Sequence, residues 1–195
     1  MGANEQPLLL KRHLITVDEY YLMAEAGVLK PEARVELIEG EIIDMAPQKS
    51  LHAFAVNSIM RSLVHAVGTS GLVTCQTPLR LSKRSEPEPD LMLLRPRADQ
   101  YAQSHPSAAD VLLLVEVADS SARYDRQIKL PLYARHGVPA VWIVDLDAGL
   151  LRMHSRPDGD AYLDATATKT PGATTLPGLP GLQIDLTGIL PTPNP

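Results

Sequence analysis

The sequence predicts a mixed α/β (α+β) fold, a central β-sheet flanked by helices. Three observations carry that expectation. "VLLLVEVA" (111–118) and "AVWIVDLD" (140–147) are apolar on both faces, as strands in the middle of a covered sheet must be. The stretch between them is long enough for a helix, at about 122–135. A second helix, at about 51–67, carries Val56, Ile59, Met60, Leu63 and Val67 as one apolar stripe. The chain has 195 residues, 45% hydrophobic and 21% charged. That suits one domain with a core that needs no disulfide or metal staple.

The elements follow in order. Residues 1–14 read as a flexible arm, 15–190 as one domain and 191–195 as a tail. Thr16 and Glu19 form a capping-box pattern that opens a short helix, "VDEYYLMAEA", stopped by Gly27. "RVELIEGEIIDM" reads as a β-hairpin turning at Glu39-Gly40. Ser50 is a candidate cap for the 51–67 helix. After Gly68 and Gly71 the period becomes strand-like over 72–81. "DLMLL" (90–94) is a strand, and 95–110 a long polar loop. Ser120-Ser121 is a candidate cap for the helix at 122–135, and Pro131 should kink that helix. Residues 149–154 and 160–167 suggest an edge hairpin. The Pro- and Gly-rich tail from 171 reads as a loop wrapping the domain.

Composition narrows the functional classes. The net charge of −5 speaks against a general nucleic-acid binder, but the charge is uneven. Residues 46–136 hold 11 Lys/Arg and 8 Asp/Glu, so the middle of the chain can present a local basic surface. The single cysteine, Cys75, cannot form an internal disulfide, which points to a reducing, cytoplasmic setting, and it reads as a buried thiol. No segment reaches the roughly 20 apolar residues needed to span a membrane, and "PLLL" is too short for a signal-peptide core. Zinc-ligand spacing and a P-loop are absent. Trp142 and Tyr133 read as core.

The carboxylates among apolar residues are the candidate chemistry. Glu116 interrupts "LLLVEVA", and alternation puts it on one face with Leu112, Leu114 and Ala118. A lone buried carboxylate costs several kcal/mol (about 3–5) unless it is paired or binds a metal. Asp90 opens the "LMLL" strand. If the two strands run antiparallel, the start of one lies beside the end of the other. Two carboxylates meeting there repel, and Mg²⁺, which favours one or two carboxylates plus waters and phosphates, would relieve them. The alternative is that Asp90 ends a loop and Glu116 pairs with Arg123 or Arg126. Lys129 lies in the following helix, and helical side chains lean back towards the N-terminus, so its ammonium can reach Glu116. Asp125, on the same face, is the competing partner. Glu36 in "VELIEGE" is a third acid in an apolar setting. Such an acid–acid–lysine set suits metal-assisted hydrolysis of a phosphodiester.

Several stretches resemble a known family. "PD" at 89–90, "VEV" at 115–117 and Lys129 resemble the PD-(D/E)XK nuclease superfamily. "VELIEGEII", "EPEPDLMLL", "LLLVEVADSS" and "DRQIKLPLYARHGVPAVWIVDLD" are similar to the Uma-two family of restriction-endonuclease-like proteins, from about Ile15 to Leu190. The resemblance implies a restriction-endonuclease-like core, Mg²⁺ (or Mn²⁺) dependence and a DNA substrate. Carried over by position, it makes Asp90 and Glu116 the metal-binding acids, Glu36 the upstream acid and Lys129 a lysine moved from the strand to the next helix. The superfamily's usual lysine position is Ala118 here. His52 resembles a family histidine near the start of the second helix; contact with DNA or metal is one reading of it, and a structural or surface role is the favoured one.

Three functions stay open from sequence. One is a metal-dependent DNA endonuclease, of a type that often pairs as a homodimer to cut two strands, although the sequence leaves the oligomeric state open. Another is a catalytically weak nuclease-like module that binds DNA or protein. The third is a Mg²⁺-dependent hydrolase of small phosphoesters. Retention of Asp90, Glu116 and Lys129 together favours catalysis; the acidic net charge favours the other two.

Overall fold

The computed structural model describes residues 12–119 and 121–190. Most of the expected arm and the 191–195 tail lie outside these residues. Helix α1 (Val17–Glu25) begins where expected: the Thr16 hydroxyl accepts the Glu19 N–H, and the Glu19 carboxylate accepts the Thr16 N–H. Strands β1 (Val35–Ile38) and β2 (Glu41–Asp44) form the expected antiparallel hairpin. Its two turn residues, Glu39 and Gly40, both have positive φ (50° and 84°), the geometry of a type I′ turn. Helix α2 (Ser50–Val67) follows, burying Val56, Ile59, Leu63 and Val67. Lys49, not Ser50, occupies the cap position, and no side chain caps the helix.

Strand β3 (Leu72–Cys75) is shorter than the expected 72–81. Gln76 turns to φ 48° and Pro78 has no N–H to donate, so the chain leaves the sheet. Leu79 N–H then bonds Pro87 O. Cys75 is exposed, against the expectation of a buried thiol, because it ends the edge strand. Strands β4 (Leu91–Leu94), β5 (Val111–Ala118), β6 (Ala140–Asp145), β7 (Leu150–Asp158) and β8 (Ala161–Thr168) complete one six-stranded sheet in the order β3-β4-β5-β6-β7-β8. Only β5 and β6 pair in parallel; the other neighbours are antiparallel. A parallel pair needs a crossover, and the helical stretch after β5 provides it.

That stretch is not one regular helix. It consists of α3 (Ala122–Tyr124), a π-turn (Asp125–Lys129) and α4 (Leu130–Arg135). Leu130 N–H reaches five residues back to Asp125 O, and Pro131, which has no N–H, follows at once. Where a kink was expected, the helix type changes from π to α just before Pro131. Ser121 occupies the cap position without a side-chain cap bond, and Ser120 lies outside the described residues.

Two apolar layers cover the sheet. On one face, α2 and the chain's last segment pack over Leu91, Leu93, Leu113, Val115, Val117 and Trp142. On the other, Tyr133 and Val138 pack with Met92, Leu94, Leu114, Ala118 and Ile143. Leu112 lies with the first layer rather than with Leu114. A bulge in the β4–β5 ladder skips it, pairing Leu93 with Leu113 and Leu94 with Val111, so the alternation restarts there. The segment after 171 is more ordered than expected. Strands β9 (Ala173–Thr175) and β10 (Gln183–Asp185) pair, and Leu176, Ile184, Leu186 and Ile189 are buried against the sheet. Among the described residues, no helix is long and apolar enough to cross a membrane.

Candidate active site

Antiparallel pairing sets Leu91 against Val115, so Asp90, just before β4, sits beside Glu116 near the end of β5. The two are clamped reciprocally. Asp90 N–H donates to Glu116 Oε2 (3.4 Å), and Val117 N–H donates to Asp90 Oδ2 (2.8 Å). Glu116 faces the crossover layer. Its Oε1 accepts the Lys129 ammonium (3.1 Å) and the Tyr133 hydroxyl (2.6 Å). The β1–β2 hairpin docks on the chain before β4, with Glu86 N–H bonded to Leu37 O (2.7 Å). It carries in Glu36, whose Oε2 lies 3.0 Å from Lys129 Nζ and accepts the Glu88 N–H (3.2 Å). Lys129 is therefore buried between two carboxylates from different elements.

The other candidates converge on the same place. Asp125 is buried and accepts the Ser121 hydroxyl at 2.7 Å rather than pairing with Lys129. Arg123 and Arg126, the alternative partners for Glu116, bond Gln127 and Asp145 instead. His52, weighed above as more a structural or surface residue, is buried with Nε2 3.2 Å from Asp90 Oδ2, and its Nδ1 has no partner. A cavity of about 320 Å³ opens onto this cluster, with Arg34, Lys49, Glu88, Asp119 and Tyr124 also in its wall.

The charges respond to burial. Glu116 is raised above the usual carboxylate range, chiefly by desolvation, with Asp125 and Asp90 adding repulsion; Lys129 and the Tyr133 bond oppose the rise. Desolvation alone would lower Lys129, but Glu116, Glu36 and Asp125 outweigh it, and the ammonium is held above its ordinary value. Asp125 and Glu88 are both raised by burial. The Asp90 hydrogen bond raises His52 in spite of desolvation. Four buried carboxylates, Glu36, Asp90, Glu116 and Asp125, thus face one buried lysine and one histidine.

Sequence reasoning missed Tyr133, Arg34, Glu88 and Tyr124 as parts of this site. Tyr133 is in the core as expected, but its hydroxyl also fixes Glu116. Its place four residues after Lys129 on one helical face was the available signal.

A mixed six-stranded sheet with buried acids where β4 and β5 meet, and a lysine supplied by the next crossover, makes this an α/β protein with one buried ionic cluster at the end of its sheet. The family model described as "Uma2: Putative restriction endonuclease" matches residues 17–187, and the chain belongs to that family. Among solved structures it is similar to "a putative nuclease belonging to DUF820" from Anabaena variabilis ATCC 29413. The two are 17% identical with a TM-score of 0.66, over 84% of this chain and 89% of the other, a likeness of fold. No curated protein matches the sequence.

Proposed function

We propose that the protein is a Mg²⁺- or Mn²⁺-dependent endonuclease that hydrolyses phosphodiester bonds of DNA. The observation that carries this reading is the convergence of Asp90, Glu116, Glu36 and Lys129 on one cavity. The donor set suits a hard cation. Asp90 and Glu116 are adjacent oxygen donors, joined through the Asp90 and Val117 N–H groups. Among the described residues no three His, Cys, Asp or Glu side chains form a ready-made metal cluster. Mg²⁺ takes one or two carboxylates and completes its shell with water and substrate phosphate, so Asp90 and Glu116 alone are proposed as its ligands.

Asp90 and Glu116 would hold the ion. When bound, such an ion polarises a phosphoryl oxygen and lowers the pKa of water. The protein's own part is positioning. Tyr133 and the Asp90 N–H orient Glu116, and His52 and the Val117 N–H orient Asp90. Lys129 keeps a positive charge beside the acids, able to steady charge that develops in the transition state. Plasmid nicking tests the reading. Mg²⁺ or Mn²⁺ should support cutting, EDTA should stop it, and Asp90→Asn should lower it by at least about a hundredfold, the scale of losing one electrostatic group. A wild-type protein that leaves plasmid intact with either metal sinks the proposal. The acidic net charge of −5 favours a second reading, a catalytically weak nuclease-like module that binds DNA or protein.

A further inference from the structure

We infer that Arg34 is the residue that grips a phosphate of the DNA backbone at the mouth of the cavity. This rests on the nuclease reading above and adds the group that seats the substrate. Three fixed cations line the cavity, and two are engaged. Lys129 is locked between Glu36 and Glu116, and Lys49 pairs with Asp119 at 2.9 Å. Arg34 has no carboxylate within ion-pair distance among the described residues. Among the described residues its only side-chain bond is from Nη1 to Ala46 O, at 3.4 Å.

The position of Arg34 is built rather than loose. It immediately precedes β1, two residues before Glu36, so alternation points both side chains to the same side. Glu36 is at the buried floor, and Arg34 is at the exposed rim. Its backbone is pinned, since Arg34 O accepts Met45 N–H at 2.8 Å. A guanidinium offers a planar fork of donors matched to two phosphate oxygens, which a lysine cannot copy. A backbone phosphate held there brings the strand over a cavity whose other walls are largely acidic. Arg34 is thus a positioning residue for the substrate.

The test measures binding of a fluorescein-labelled DNA duplex to the full chain by anisotropy. Ca²⁺ replaces Mg²⁺ so that the duplex stays intact, and salt is varied. Lys83, exposed and away from the cavity, supplies a control that removes the same charge. Arg34→Ala should weaken binding about tenfold or more. It should also reduce the slope of log affinity against log salt by about one, the signature of one lost phosphate contact. Arg34→Lys should keep the slope and recover part of the affinity. In nicking, the loss should fall more on KM than on kcat. Equal affinity and slope for wild type and Arg34→Ala overturn the assignment while leaving the nuclease reading intact. So does an equal loss in Lys83→Ala, which would show general attraction only. A wild type that binds no duplex overturns the DNA reading, and the assignment with it. Melting curves of the variants exclude unfolding as the cause of lost binding.

Discussion

Lys129 is the residue on which the site's electrostatics turn. Buried between Glu36 and Glu116, it is both a candidate for transition-state stabilisation and a structural counter-ion. Lys129→Met keeps most of the stem and the helix propensity but leaves two buried carboxylates without their cation. Removing one partner of a buried pair costs about 3–5 kcal/mol, so urea denaturation in EDTA should show a loss of that size. Adding Glu36→Gln should recover part of it, because residues in one ion-pair network are not additive. If Lys129→Met is as stable as wild type, the ammonium does not compensate the acids. The candidate cluster was legible at this scale from position: Glu116 and Glu36 sit within apolar runs, Asp90 opens one, and Lys129 lies in the helix after the Glu116 strand, leaning back towards it. Arg34 and Tyr133 were not. An arginine beside a strand looks like ordinary solvated charge, and a tyrosine in an apolar helix looks like core. Only the three-dimensional contacts separate those roles.

The β1–β2 hairpin is the element that delivers Glu36, and its turn is the most constrained point on it. Gly40 has φ +84°, and a Cβ there would lie 2.7 Å from Leu14 Cβ and 3.1 Å from Leu14 Cα. Neither neighbour is the free end of a flexible side chain. Gly40→Ala should therefore cost about 1–3 kcal/mol, combining left-handed backbone strain with a clash. Gly137 is the control: φ is +78° but nothing lies within 4 Å of its added Cβ. Gly137→Ala should cost only the backbone part, about 1 kcal/mol. Equal melting losses for the two would show that the Leu14 contact gives way freely. The hairpin was legible because Glu-Gly separates two apolar runs of strand length. The π-turn was not, since a five-residue hydrogen bond leaves no compositional mark. The β9–β10 pair was hidden by the prolines and glycines around it, although Leu176, Ile184, Leu186 and Ile189 of that segment cover one face of the sheet. Gly178 shows how closely that segment lies, since a Cβ there would meet Leu112 Cδ2 at 2.7 Å. The bulge that turned Leu112 to that face depends on the partner strand, which one strand's alternation cannot report.

For the whole molecule, the proposed metal site couples folding to pH and to divalent ions. Glu116 has its folded-state pKa raised above the ordinary 4.5, mainly by desolvation. The folded protein therefore holds this proton more tightly than the unfolded chain does. The stability that follows is full below 4.5 and is lost as the pH rises from there through the folded value. In EDTA, melting temperature should accordingly fall as pH rises above that range, with a smaller slope in Glu116→Gln. A divalent ion acts in the opposite direction, because it compensates the carboxylate once the proton has gone. An ion that binds only the folded state stabilises by about 2.7 kcal/mol at a hundred times its Kd. For a chain of this length that amounts to about 5–10 °C. Mg²⁺ or Mn²⁺ should thus raise the wild-type melting temperature, and more at pH 8 than at pH 5, where protons compete with the ion. Asp90→Asn and Glu116→Gln should each lose most of that rise. Should both variants keep the full metal shift, the ion binds elsewhere on the acidic surface. Should wild type show no shift at any pH, the pair does not hold a metal, and the cluster is a buried ion network that braces the hairpin and crossover against the sheet.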